Sequence, residues 1–237
     1  PRMRDVPAIS HHQNLEPRRK IRSHALSRSG RGVNETAVRD SANQIMLYPI
    51  RDAYQEVIQH SLLITGDPLV DVYFDSYGNQ VGTFTHARPH QELVIDSRVL
   101  VETSPRVMPE DTISQDVQWL ELETLQNQLD YIDFLRQEKF QALPEVEKII
   151  EAEQGKHSTP FETAKHFNDY IYKHFEYKKG ITTVESTIDE VWQLRSGVCQ
   201  DFAHILLVML RLRNIPARYV SGYFYAANEP DLASHAW

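Results

Sequence analysis

The chain of 237 residues contains a single cysteine, Cys199. One cysteine excludes an intrachain disulfide framework and a zinc site built from several cysteines, so Cys199 serves either in packing or in chemistry. No apolar stretch approaches the roughly 20 residues of a transmembrane helix, and the polar, basic start lacks the apolar centre of a signal peptide. We therefore expect a cytoplasmic protein.

The chain has fewer basic than acidic residues: 25 lysines and arginines compared with 33 aspartates and glutamates, which gives a net charge of −8. A chain with this balance has no general attraction to phosphate backbones or anionic lipid, so we expect neither nucleic acid nor membranes as partners. Hydrophobic residues form 41% of the chain, which is enough for the core of one large domain or two modest ones.

Residues 1–40 carry many arginines and little apolar periodicity, and we expect them to form a polar, irregular lead-in. From residue 41 the pattern changes to short segments rich in β-branched and aromatic residues, which predict strands at 56–65, 70–74, 81–86 and 92–102. Turn residues at 75–79 predict a hairpin between the second and third of these strands.

These strands predict an antiparallel β-rich N-terminal domain over 41–108. Pro105 and Pro109 indicate a linker, so we place a domain boundary at 105–112. The remaining residues, 109–237, are assigned to a second domain, since the apolar residues there recur at helical spacing.

The second domain has several helix signals. Apolar residues across 115–141 predict a helical region, and Pro144 separates it from a short helix at 145–153. Two capping boxes, each a threonine followed three residues later by a glutamate, start further helices. They lie at Thr159 and Thr187, and the helix from Thr187 is expected to end near Arg195 because Ser196 and Gly197 continue a helix poorly.

Cys199 follows Gly197 and begins a run to Arg213 that is apolar around most of its surface. This pattern predicts a buried helix that starts at Cys199. The first turn of a helix offers free backbone N–H groups and the positive end of the dipole, and both favour a thiolate over a thiol. The alternative is a small buried cysteine that only packs.

The segment after the helix supports the reactive interpretation. Residues 217–225 alternate as a strand, and His235 begins what we interpret as an antiparallel return strand. His235 would then lie beside the strand that packs on the Cys199 helix, within reach of the sulfur. The order of cysteine helix, strand and histidine strand is that of papain-type cysteine enzymes.

Three separated blocks, at 197–204, 215–223 and 234–237, together resemble the core signature of the bacterial transglutaminase-like superfamily. Residues 75–79, 89–90 and 101–102 resemble the β-rich domain that often precedes this core. The resemblance implies an α+β protein in which the antiparallel β domain is followed by a papain-like, transglutaminase-like core of helices packed on an antiparallel sheet.

The resemblance also implies an acyl-transfer enzyme of the Cys–His–Asp type that requires no metal or organic cofactor. Cys199 would attack a peptide or amide carbonyl and His235 would act as the base. Three activities stay open: hydrolysis of peptide or amide bonds, which we favour, transfer to an amine as in a transglutaminase, and non-catalytic binding on the same fold.

Family members place the aspartate a short distance after the histidine, whereas this sequence ends at Trp237, so we expect a core truncated before its third triad member. Asp201 is a weak candidate for that role, since residues two apart on a helix point in different directions. Tyr177 and Gln200 are candidates for the cleft or the oxyanion site, with ordinary packing as the alternative for Tyr177.

The other histidines receive structural interpretations. His204 lies in an apolar helix without a second histidine at metal-ligand spacing, so we assign it to the core. His166 and His174 are expected on a solvated helix face.

Overall fold

The computed structural model describes residues 21–22, 26–105, 112–153, 158–183, 185–223 and 234–236, with side chains described from residue 37 to residue 222 within these ranges. The described chain divides into two compact units. We call them the β unit, inside residues 13–108, and the helical unit, inside residues 109–237. No helix in the described ranges is both long enough and apolar enough to cross a membrane.

The β unit is built around one long central strand. Its described strands are β1 (Ile21–Arg22), β2 (Leu26–Val38), β3 (Ser41–Ile45), β4 (Gln55–Ile64), β5 (Asp71–Phe74), β6 (Gln80–His86) and β7 (His90–Thr103). Strands β1 and β2 pair with one edge of β7 and β4 pairs with the other, all antiparallel. A second antiparallel sheet has the order β3-β6-β5.

The burial pattern of these strands follows from their alternation. Val99 and Val101 lie two apart on β7, on the same face of the sheet, and both are buried against Val57 of β4. The predicted hairpin is confirmed: the Asp75 carboxylate accepts hydrogen bonds from the Tyr77 and Asn79 backbone N–H groups and closes the turn between β5 and β6.

Strand β2 differs from the sequence expectation. It lies inside the segment 1–40 that was expected to be irregular, yet residues 26–38 pair with β7. Backbone hydrogen bonds to a neighbouring strand do not require apolar side chains, so a polar segment can complete the edge of a sheet. The histidine pair of the polar lead-in, His11 and His12, forms no recognisable motif and lies outside the described residues.

The helical unit contains six described α-helices and two short strand pairs. The helices are α1 (Gln115–Leu125), α2 (Ile132–Leu135), α3 (Leu143–Glu153), α4 (Pro160–His174), α5 (Ile188–Leu194) and α6 (Cys199–Leu212). The short strands are β8 (Glu176–Tyr177), β9 (Ser196–Gly197), β10 (Ser221–Tyr223) and β11 (Ser234–Ala236).

Both predicted capping boxes are present. The Thr159 hydroxyl accepts from the Glu162 N–H while the Glu162 carboxylate accepts from the Thr159 N–H, and α4 begins there. Thr187 and Glu190 form the same reciprocal pair at the start of α5. Each box satisfies two backbone donors that a helix start leaves open.

The other helix boundaries differ from the prediction. The helical region predicted at 115–141 is interrupted, because α1 ends at Leu125 and α2 covers only Ile132–Leu135 after a short 3₁₀ turn. Pro144 does not precede α3 but lies in its first turn, where a missing N–H costs no helical hydrogen bond.

The core of the helical unit forms where α3, α4 and α5 surround α6. Phe167, Ile205 and Met209 are almost fully buried, as are Val146 and Trp192. Helix α6 is therefore held along most of its length by apolar contacts.

Candidate active site

Cys199 is the first residue of α6, as predicted, and its side chain is partly exposed. The residue before it, Val198, has extended backbone angles and no side-chain atom that can accept a hydrogen bond. The N–H groups of the first turn therefore have no cap from the Val198 side chain. They remain directed outward at the place where the sulfur lies.

The approach to Cys199 is an extended segment that follows a left-handed residue. Helix α5 ends at Arg195, whose φ of 48° places it in the left-handed region. Ser196 and Gly197 then form β9, which pairs in parallel with Glu176 and Tyr177 of β8. The prediction that α5 stops near Arg195 is confirmed, but Arg195 rather than Gly197 makes the turn.

Gly197 has a different role from the one its sequence position suggested. Its φ is not in the left-handed region, so glycine is not needed for the backbone angle. A Cβ atom there would lie only 2.5 Å from Oδ2 and 2.9 Å from Cβ of Asp201. Glycine is required because the Asp201 side chain occupies the space.

Asp201 connects the helix start to the preceding loop. Its Oδ2 accepts a hydrogen bond of 2.7 Å from the Val198 N–H and another of 2.7 Å from the Thr182 hydroxyl. The residue is buried, with 6% of its surface exposed. We call this arrangement of Thr182, Val198 and Asp201 the aspartate clamp. It fixes the turn that presents Cys199.

Tyr177 lies beside Gly197 through the β8–β9 pairing and packs edge-on against Phe202 of α6, with ring centroids 6.3 Å apart. Burial, and secondarily the negative charge of the nearby Cys199 thiolate, raises the pKa of Tyr177. Its hydroxyl is therefore a neutral donor near the sulfur at ordinary pH. Gln200 follows Cys199 on α6 and is partly exposed.

A second tyrosine near Cys199, Tyr219, was not among the site residues predicted from the sequence. Burial, followed by the charges of Cys199 and Asp201, raises the pKa of Tyr219. Its ring stacks on His204 with centroids 5.2 Å apart and an angle of 22° between the planes. His204 is exposed, so its assignment to the core was wrong. It lies on the strip of α6 that the core does not cover.

The predicted return strand is present. Strand β11 pairs antiparallel with β10, with His235 opposite Gly222, and β11 lies beside α6. The topology therefore brings the backbone of His235 to the same helix that begins at Cys199. Residues 217–220, predicted as part of the first strand, are not in regular structure, and 224–233 lie outside the described residues.

The other histidines of this unit lie on α4. His174 is exposed, as expected, and stacks on Tyr170. His166 is only partly exposed, and its Nδ1 is buried without a hydrogen-bond partner. Within the described ranges, no group of three or more His, Cys, Asp or Glu side chains is arranged to bind a metal ion.

Family models identify both parts of the chain. Residues 148–237 match the transglutaminase-like superfamily, and residues 35–102 match the bacterial transglutaminase-like N-terminal region. Residues 148–237 therefore match a transglutaminase-like core, and residues 35–102 match the region that precedes this core in bacterial members. The resemblance inferred from the separated sequence blocks is thereby confirmed.

The chain is also similar to proteins of mycobacteria. An uncharacterized protein of Mycobacterium leprae is 29% identical over 86% of this chain and 74% of its own length. A second uncharacterized relative, from Mycobacterium bovis, is 28% identical over 84% of this chain and 67% of its own.

A solved structure shares the fold. It is described as a candidate cysteine protease from Cytophaga hutchinsonii and superposes with a TM-score of 0.67 at 21% identity, over 92% of this chain and 74% of the other. The α+β fold class, with N-terminal strands followed by a transglutaminase-like core, is confirmed.

Proposed function

We propose that the protein is a thiol-dependent hydrolase of peptide or amide bonds that works through an acyl-enzyme on Cys199. The observation that carries the proposal is the position of Cys199 as the first, partly exposed residue of a buried helix with an apolar N-cap. A helix start stabilises negative charge, and the thiolate is the nucleophilic form of cysteine.

His235 is the proposed base. Its strand pairs with β10 and lies beside α6, so the histidine backbone and the helix that starts at Cys199 belong to one local assembly. In the first step the imidazole takes the thiol proton and the sulfur attacks the carbonyl carbon. The C–N bond then breaks, and the amine leaves with the proton from the imidazolium.

Water completes the reaction. His235 removes a proton from the water as its oxygen attacks the thioester carbonyl, and the C–S bond breaks to release the carboxylic acid and the Cys199 thiol. The reaction balances without a metal or organic cofactor, since one water is consumed for each peptide or amide bond that is hydrolysed.

Stabilisation of the oxyanion is assigned to the start of α6. The Cys199 N–H is the first proposed donor, because the N-cap residue Val198 supplies no competing acceptor. The Tyr177 hydroxyl is the second, supported by its raised pKa and its proximity to Cys199. Gln200, partly exposed and next to the nucleophile, is the third cleft candidate.

The structure favours a structural role for Asp201. Its Oδ2 already accepts from Val198 and Thr182, and the residue is buried beneath the helix start. We therefore propose that Asp201 holds the site together, and that an acid which orients His235 is supplied by another residue.

The test compares the protein with its Cys199→Ala variant on simple amide and peptide substrates. Because the chain has one cysteine, Cys199→Ala removes all thiol chemistry, and we expect hydrolysis to fall to background. Tryptophan fluorescence is the folding control, since all three tryptophans lie in residues 109–237. Product analysis in the presence of an added primary amine separates hydrolysis from amine transfer.

Two outcomes contradict the proposal. Equal turnover by the protein and by Cys199→Ala excludes a thiol mechanism. Alkylation of Cys199 by iodoacetamide that follows an ordinary thiol, with a midpoint at about pH 8.5, together with no turnover, favours a non-catalytic domain on the same fold.

A further inference from the structure

One strip of α6 is not covered by the core. His204 is exposed although its chain neighbours Ala203 and Ile205 are buried. Gln200 and Arg211, four residues before and seven residues after His204, are partly exposed and fall on the same side of a helix with 3.6 residues per turn. We call this row of polar residues the polar strip; it starts at the Cys199 end of α6 and is interrupted between His204 and Arg211 by the buried Leu207 and Val208.

The chain that follows α6 returns along the polar strip. The Arg211 guanidinium donates two hydrogen bonds to the Ala217 carbonyl, of 3.2 Å from Nε and 2.9 Å from Nη2. The Ala217 N–H donates to the Phe134 carbonyl at 3.0 Å, so Ala217 is held on both sides. Tyr219, two residues after Ala217, stacks on His204, which lies seven residues nearer to Cys199 along α6 than Arg211 does.

The stacked pair lies immediately before the strands of the proposed site. Tyr219 is three residues before Gly222, and Gly222 pairs with His235. Three residues of extended chain span about 10 Å, so the position of Tyr219 closely limits where β10 can lie. Because β11 is hydrogen-bonded to β10, the same restraint acts on the backbone of His235.

We propose that His204 and Tyr219 form a positioning pair that sets the distance between the His235 strand and Cys199. The inference rests on the proposed function, since it assigns the pair to a thiol site with His235 as the base. Neither residue is required to touch the substrate. The His204 ring provides a flat, exposed surface on α6, and the Tyr219 ring anchors the returning chain on it.

The proposal predicts that the flat ring, not the hydroxyl group, is what matters at position 219. Tyr219→Phe keeps an aromatic face and should retain the behaviour of the parent protein. Tyr219→Leu removes the stack and should loosen the His235 strand. Tyr172, on α4, is an exposed tyrosine away from this strip, so Tyr172→Leu is a matched control for the loss of a surface tyrosine.

The experiment measures the rate of Cys199 alkylation by iodoacetamide as a function of pH. With one cysteine in the chain the label reports a single site. A nearby imidazolium favours the thiolate, so His235→Ala should move the alkylation midpoint upward by about one pH unit or more. Tyr219→Leu should move it in the same direction, whereas Tyr219→Phe and Tyr172→Leu should leave it in place.

A double variant isolates the positioning role. If Tyr219 acts through His235, then Tyr219→Leu should cause no further shift once His235 is alanine. His204→Leu should behave as Tyr219→Leu does, and His204→Phe, which keeps a flat ring, should restore the parent midpoint. Unfolding curves from tryptophan fluorescence verify that each variant is folded before its titration is compared.

The outcomes separate this inference from the proposed function. If His235→Ala leaves the midpoint unchanged, the proposed base is wrong and the positioning role is overturned with it. If His235→Ala shifts the midpoint and folded Tyr219→Leu does not, the proposed function stands and the positioning pair is wrong. A shift by Tyr219→Phe equal to that of Tyr219→Leu also overturns it, because the hydroxyl would then be the active group.

Discussion

Replacing Gly197 by alanine tests the aspartate clamp directly. The added Cβ would lie 2.5 Å from Oδ2 of Asp201, so the carboxylate must move away from the Val198 N–H and the Thr182 hydroxyl. A hydrogen bond to a charged group contributes about 1.5–3 kcal/mol, and forced overpacking costs about 1–3 kcal/mol. Since relaxation recovers part of each, we expect Gly197→Ala to destabilise the helical unit by about 2–4 kcal/mol.

The assay is urea unfolding followed by tryptophan fluorescence, which reports the helical unit because the three tryptophans are Trp119, Trp192 and Trp237. Gly180→Ala is the matched control. Gly180 has a φ of +79° and no atom within 4 Å of its would-be Cβ. Alanine there should therefore destabilise the unit only through the strain of a left-handed backbone conformation, about 1–2 kcal/mol.

A double-mutant cycle tests whether the collision with Asp201 explains the effect of Gly197→Ala. In an Asp201→Ala background the colliding carboxylate is absent and only the contact of 2.9 Å with Cβ of residue 201 is left, so the cost of Gly197→Ala should fall by about 1–3 kcal/mol. If Gly197→Ala destabilises both backgrounds equally, within about 0.5 kcal/mol, then collision with the Asp201 carboxylate is not the reason for glycine at position 197.

Two further predictions concern the β unit and the division of the chain. Burial lowers the pKa of His60, so the folded state favours the neutral imidazole. The unfolded chain binds the proton more readily, so the contribution of His60 to the free energy of unfolding is complete above the ordinary pKa of about 6.5 and is lost as the pH falls below it. His60→Gln, which keeps a donor for the Ser97 hydroxyl, should flatten the acid side of the stability profile measured by circular dichroism, and an unchanged slope would contradict this. The boundary at 105–112 stays a prediction: limited proteolysis should cut there and leave two resistant fragments, and resistance throughout that segment would count against it.

The features that were predictable from the sequence have local causes. The capping boxes at Thr159 and Thr187 need only residues three apart, and the turn at Asp75 needs only the next four residues. The start of α6 at Cys199 is also local, because an extended glycine-containing segment precedes a continuous apolar run. Local hydrogen bonds and apolar periodicity are visible in any short window of sequence.

Other features depend on residues distant in sequence. Strand β2 forms because β7, more than fifty residues later, supplies its backbone partners, and nothing in the polar segment itself signals this pairing. His204 is exposed because the core covers the other sides of α6, so the apolar character of the helix was misleading at that position.

The candidate site depends both on local sequence and on contacts between residues that are distant along the chain. The residue types at Cys199 and His235, and their order along the chain, were sufficient to propose a nucleophile and a base. The contacts of Thr182 with Asp201 and of His204 with Tyr219 join residues nineteen and fifteen positions apart. Such contacts arise when packed elements bring distant side chains together, and their geometry is set by the surrounding fold rather than by any spacing along the chain.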